Sequence, residues 1–251
     1  MFKPQTQRLQ QLAQLFPQRI AELERLLLGK TNIYIDYANV LHCAKRLKWH
    51  IDLKRLKQFL DSFRQIQQIA LYYGTLQGNA DSENFIHQVR RLNYHVVTKP
   101  VKIMSVSINM LHASLDSKRV LGNFIKRPLL NQFDAAITHC LNSYLVKLNR
   151  RGMQTLQISK CNFDVEMGRD MLIDFVQDRA DSFVIWSGDS DFVEPVKQLL
   201  QDGKQVVIFA AAGKISVELS HTRAQVFEIN KIRDFICRAS EISATVKPKL
   251  R

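Results

Sequence analysis

Leu9, Leu12, Phe16, Ile20, Leu23 and Leu27 recur at intervals of three and four residues, the period of an amphipathic helix. Pro17 divides this stretch, because proline suits the first turn of a helix and disrupts one already running. A second helix is therefore expected from about Pro17 to Leu28, closed by Gly29. The two apolar faces either pack on the main domain or offer a surface to a protein partner or a second copy. From Thr31 the pattern changes. Short β-branched and aromatic runs at 32–36, 69–74, 94–100, 183–187, 205–210 and 225–229 read as strands. Amphipathic stretches near 52–66, 81–92, 164–179, 192–202 and 214–220 read as helices between them. Strands that are apolar almost throughout, alternating with helices, predict a mainly parallel, doubly wound α/β sheet covered on both faces. Residues 101–155 break the alternation. They read as mainly helical, interrupted at Pro128 and at "LGN" (121–123), and are expected to form an insertion. The resulting plan is a helical segment at 1–30, an α/β domain at 31–236 and a basic tail at 237–251, whose end, "ATVKPKLR" (244–251), is expected to fray.

Charge narrows the class of partner. Lysine and arginine number 36 against 23 acidic residues, a net charge of +13, which favours a polyanion and above all nucleic acid. No apolar run approaches the roughly 18 residues needed to span a bilayer, so no membrane partner is expected. Lys3, Arg8 and Arg19 precede the first acidic residue, Glu22, as in a mitochondrial presequence, but the segment is rich in glutamine and not in serine. Cys43, Cys140, Cys161 and Cys237 are scattered without CxxC spacing, which argues against a zinc site or disulfide framework and for a reduced, cytoplasmic setting.

Ligands of a doubly wound sheet bind outside the carboxyl ends of its strands. Asp36 ends the first strand, and Asp189 and Asp191 follow the fourth in "SGDSDF". Asp164 opens a helix in "KCNFDVEMGRDML". Asn39, which follows Asp36 in "YIDYAN", and Asp164 also suit helix starts, and Asp191 also suits a cap on the helix beginning near Phe192. Gly188 is expected to permit a tight turn, and Phe192 to anchor the next helix in the core. Carboxylates brought together raise one another's pKa and oppose folding unless a cation offsets them. Magnesium or manganese suits such oxygen donors, and beside a phosphodiester supports attack by water.

The segments "NIYIDYANV", "KCNFDVEMGRDMLIDF" and "FVIWSGDSDFVEPVKQLLQDGKQVVIFA" resemble the NYN domain, a branch of the PIN-like nucleases that includes the LabA-like proteins. The resemblance covers roughly 31–100 and 155–235. It implies a three-layer α/β fold and a magnesium- or manganese-dependent ribonuclease site made from Asp36, Asn39, Asp164, Asp189 and Asp191. Metal ligation falls to Asp36, Asp164 and Asp189, and Asp170 matches the second acidic position of the helix motif. At about 100° per residue, however, Asp170 lies roughly 120° around the helix from Asp164. Glu166 shares a face with Asp170, with solvation as its simplest role. The chain departs from the family at Tyr37 and Ala38, at "FDVEM", and in the length of 101–155, which leaves the carboxylates in place and bears on substrate choice.

Candidate RNA contacts are Lys45, Arg46, Lys48 and Lys54, then Arg90 and Arg91, then Lys99 and Lys102, with further basic residues in the insertion. Lys160 is placed either to contact the scissile phosphate or to pair with Asp164. Trp49, Tyr37 and Tyr73 are candidates for stacking on unpaired bases, or for the core. The expected activity is hydrolysis of single-stranded or locally unpaired RNA. The alternative is an RNA-binding adaptor with the same fold and little turnover. A phosphatase of the haloacid-dehalogenase type would need a second aspartate where Ala38 stands.

Overall fold

A computed structural model describes residues 1–76, 78–211 and 213–250, and the side chains of residues 43, 45 and 46 fall outside that description. The chain opens with α1 (Gln7–Leu15), α2 (Pro17–Leu26), β1 (Thr31–Asp36), α3 (Tyr37–Leu47), α4 (Leu53–Leu60), β2 (Ile66–Thr75), α5 (Ala80–Arg91) and β3 (His95–Pro100). It continues with β4 (Lys102–Ser107), α6 (Arg127–Leu130), α7 (Ala135–Arg150) and β5 (Thr155–Lys160). It closes with α8 (Asp164–Val176), β6 (Ser182–Trp186), α9 (Val193–Gln201), β7 (Gln205–Ala210), α10 (Val217–Ser220), β8 (Gln225–Glu228) and α11 (Arg233–Ile236). Two compact units result, Met1–Lys99 with Asn162–Arg251, and Pro100–Cys161.

The larger unit is built on a six-stranded sheet ordered β3-β2-β1-β6-β7-β8. β1 pairs in parallel with β2 and β6, and β7 with β6 and β8. The chain lays strands outward from β1 on one side and then outward from β6 on the other. This puts the switch point, where an α/β sheet opens a crevice, between β1 and β6.

Alternate strand residues serve different faces. Ile33, Ile35, Leu71, Val184, Trp186, Val207 and Phe209 join Leu9, Leu12, Leu23, Leu27, Leu56 and Phe59 in one buried core. The N-terminal helices therefore spend their apolar stripes inside the domain and do not present them to a partner. On the other face Asn32 and Tyr34 donate to the buried Asp174 of α8, at 2.8 and 2.6 Å, and Arg179 meets its other oxygen at 3.4 Å. Burial, and then this acceptor, push the Tyr34 phenol well above its ordinary pKa.

Several elements depart from the sequence reading. Beyond the helical turn expected at Asn39, α3 runs on to Leu47, burying Val40 and Ala44 while Leu41 is exposed. The helix expected over 52–66 stops at Leu60, after which Phe63 bridges to Phe2. The segment after Ile236 does not fray: Cys237 and Val246 are buried, and Ile242 and Leu250 pack on the core.

The smaller unit, expected to be mainly helical, contains an antiparallel pair, β4 with β5, running from Lys102 opposite Lys160 to Ser107 opposite Thr155. Ile108, Met110, Val120, Leu121, Leu130 and Leu145 form its own core. Among the described residues no helix is long and apolar enough to cross a membrane.

Candidate metal centre

Asp36 ends β1 and begins α3. Its Oδ1 accepts from the amides of Ala38 at 3.1 Å and Asn39 at 3.3 Å, so the capping role open to Asn39 falls to Asp36. Asn39 instead reaches across the switch point, where its Nδ2 donates to Ser187 Oγ at 3.3 Å. The amide of Asp189 donates to the same hydroxyl at 3.4 Å. Buried Ser187 thus ties the first turn of α3 to the loop leaving β6.

Gly188 is needed for close approach and not for a turn. It is not among the residues with positive φ. A Cβ there would lie 1.8 Å from the Lys214 carbonyl oxygen, and the Gly188 carbonyl accepts from Ser216 N–H at 2.9 Å. The loop after β7 is thereby pressed against the loop that carries Asp189.

Asp164, Asp189 and Asp191 converge, with one oxygen from each lying within 4.8 Å of the others. Neither the 3-10 turn Ser190–Phe192 nor α9 has a side-chain cap, so Asp191 does not serve the helix start. Phe192 is fully buried beneath them. Asp164 is the first residue of α8 and accepts from Asn162 Nδ2 at 2.7 Å, close to the positive end of the helix.

The electrostatics show a cluster short of positive charge. Burial pushes Asp36 up to about 6, reinforced by Asp164 and Asp189 and opposed by the two amides it accepts from. Burial also raises Asp164, with Asp191 and Asp189 adding to it and Asn162 opposing. Three exclusively oxygen donors in this arrangement fit a hard divalent cation such as Mg2+ or Mn2+. Asp36 stands next to the trio, outside it.

The cleft beside the trio, about 240 Å³, is lined by Asn39, His42, Gly188, Asp189 and Lys214. Sequence reasoning missed Ser187, His42 and Lys214. His42 follows Asn39 by three residues, a same-face spacing that becomes visible once α3 is known to be a helix. No signal pointed to Lys214.

Other candidates lie elsewhere. Asp170 accepts from Tyr72 Oη at 2.9 Å and from Arg169 at 2.9 and 2.7 Å, and belongs to that network. Lys99 donates to both oxygens of Glu166, at 2.7 and 2.6 Å, which leaves neither of them solvated alone. Lys48, Lys54, Arg90 and Arg91 are exposed, while Lys102 and Lys160 face each other across β4 and β5 in the smaller unit. Lys45 and Arg46 lie outside the described side chains. Tyr37 is buried against Phe85, ring centroids 4.9 Å apart, with Tyr73 edge-on to it. Trp49 is buried and donates to Asn230 at 3.1 Å. Tyr37 and Trp49 are thus core residues, committed to packing and not to bases.

The sequence model of the NYN domain matches residues 30–113 and 103–230. A curated relative is the low amplitude and bright protein LabA of Synechococcus elongatus, 22% identical over 205 residues, which cover 81% of this chain and 86% of that protein. Among solved structures, a protein of unknown function from Vibrio parahaemolyticus aligns with a TM-score of 0.52 and 17% identity, covering 84% of this chain and 96% of that one. That likeness supports the three-layer α/β fold, and the domain match spans most of the larger unit, including every carboxylate described above. The chain belongs to the NYN domain family, in its LabA-like branch.

Proposed function

We propose that the protein is a divalent-cation-dependent endoribonuclease that hydrolyses phosphodiester bonds of single-stranded or locally unpaired RNA. The observation that carries this reading is the convergence of Asp164, Asp189 and Asp191 at the switch-point crevice of a chain with a net charge of +13. These three would hold Mg2+ or Mn2+, which when bound polarises a phosphoryl oxygen and lowers the pKa of water.

The chain's own residues divide the remaining work. Asp36 commits Oδ1 to the amides of α3, which leaves Oδ2 to face the trio or to take a proton from attacking water. Asn39 and Ser187 hold the two sides of the crevice in register. Exposed Lys48, Lys54, Arg90 and Arg91 supply sequence-independent attraction for RNA, with Lys102 and Lys160 adding charge in the smaller unit. The scattered cysteines and membership of a nuclease-like family suit a cytoplasmic enzyme.

Incubating the protein with single-stranded RNA, with and without Mg2+ or Mn2+, tests this. Internal cleavage is expected only with the ion, and Asp189→Asn should abolish it while RNA binding persists. Cleavage in a chelator, or cleavage untouched by Asp189→Asn, refutes the proposed site. Binding without cleavage under any ion identifies an RNA-binding adaptor instead.

A further inference from the structure

The cleft beside the carboxylates joins groups of different chemistry: Asp189, which belongs to the trio, lines it together with His42 of α3 and Lys214 of the loop after β7. Lys214 is half-buried and forms no ion pair among the described residues. Elsewhere in the unit, lysines on comparable ground are neutralised: Lys99 by Glu166, Lys57 by Asp61 and Lys204 by Asp178. A lysine without a counter-ion at the edge of an acidic centre has an obvious anion to meet only if one is delivered from outside.

Lys214 is also held more firmly than a loop residue needs to be. Its amide donates to Ala211 O at 3.0 Å, its carbonyl packs on Gly188, and Ser216 N–H donates back to the Gly188 carbonyl at 2.9 Å. The loop is thus stapled through its main chain to the residue preceding Asp189. Lys214 and Asp189 keep a set separation even though 24 residues of chain, as counted from their numbers, lie between them.

Resting on the nuclease reading, we infer that Lys214, assisted by His42, seats the RNA backbone phosphate adjacent to the one presented to the carboxylates. The lysine is a positioning residue. It contributes a point charge with three donors on a flexible stem, suited to a phosphate whose ribose and base vary. The cleft of about 240 Å³ holds a cation, an imidazole and an amide among its lining groups, and a seat that binds backbone does not discriminate among bases. The seat therefore fixes register along the strand and adds one phosphate to the electrostatic footprint.

Equilibrium binding of a fluorescently labelled single-stranded RNA, measured in EDTA over a range of salt, tests this without turnover. Lys214→Gln leaves the main-chain contacts of the loop intact, and its thermal midpoint should match the parent. Lys197→Gln removes the same charge from an exposed ion pair with Glu194 and serves as the control for net charge. Lys214→Gln should weaken binding roughly tenfold relative to that control, and lower the slope of log affinity against log salt by about 0.7, the loss of one single-strand phosphate contact. Equal affinities and slopes for the two variants overturn the seat, whether or not the parent cleaves RNA. Failure of the parent to cleave with any divalent ion, with the binding difference intact, overturns the nuclease reading and leaves the seat standing.

Discussion

Replacing Asp36 by asparagine removes a charge from the crevice while keeping an oxygen able to accept from the Ala38 and Asn39 amides. Burial lifts the carboxyl from its ordinary 3.8 to about 6, so the folded protein binds the proton better than the unfolded chain between those values. The stability associated with that proton is full below about pH 4 and is lost as pH rises through about 6. At about 1.4 kcal/mol for each pH unit, the loss is on the order of 3 kcal/mol by neutral pH. Asp36→Asn should therefore match the parent near pH 4 and exceed it by up to about 3 kcal/mol near pH 7, in metal-free buffer. Both tryptophans of the chain, Trp49 and Trp186, are buried in the larger unit, so urea unfolding followed by their fluorescence in EDTA reads the right transition. Parent and variant curves that stay parallel across that pH range would refute the argument that Asp36 is held against its charge.

Gly188→Ala would place a Cβ 1.8 Å from the Lys214 carbonyl oxygen, against backbone that cannot swing aside, and should cost about 1–3 kcal/mol or more in urea unfolding. Leu12→Ala removes a fully buried side chain from α1 and should cost about 2–5 kcal/mol, whereas a loosely attached N-terminal helix would leave the main transition unmoved. Tyr34→Phe deletes the 2.6 Å donor to buried Asp174 and should cost about 1–3 kcal/mol by the same assay, with no change in divalent-ion affinity.

The strands were legible because a sheet covered on both faces demands nearly continuous apolar runs, as "FVIW" and "VVIF" show. Helix α3 was hidden because it follows β1 with no loop, and Asp36, its cap, and Asn39, in its first turn, serve the crevice as well as the helix. β4 and β5 are short and largely exposed: β4 lacks a regular alternation, and β5 alternates only Leu156 and Ile158 with polar residues, too brief a signal beside the helical patterns around it. The carboxylates could be read from strand ends and one family-like motif. The roles of Ser187, Gly188 and Lys214 arise from contacts between segments remote in sequence, which no local pattern encodes. Tyr37 and Trp49 suited stacking or the core equally in local pattern, and only their burial assigns them to the core.

The central claim, that Asp164, Asp189 and Asp191 form one divalent-cation site, is tested most directly by titrating the chelator-treated protein with Mn2+ and counting bound ions by electron paramagnetic resonance. Mn2+ should bind at that site more weakly as pH falls, because Asp164, whose carboxyl burial holds above its ordinary range, must lose its proton to bind the ion, and binding should be lost in Asp189→Asn. Binding equally strong in parent and variant, or no binding by the parent at neutral pH, would contradict it.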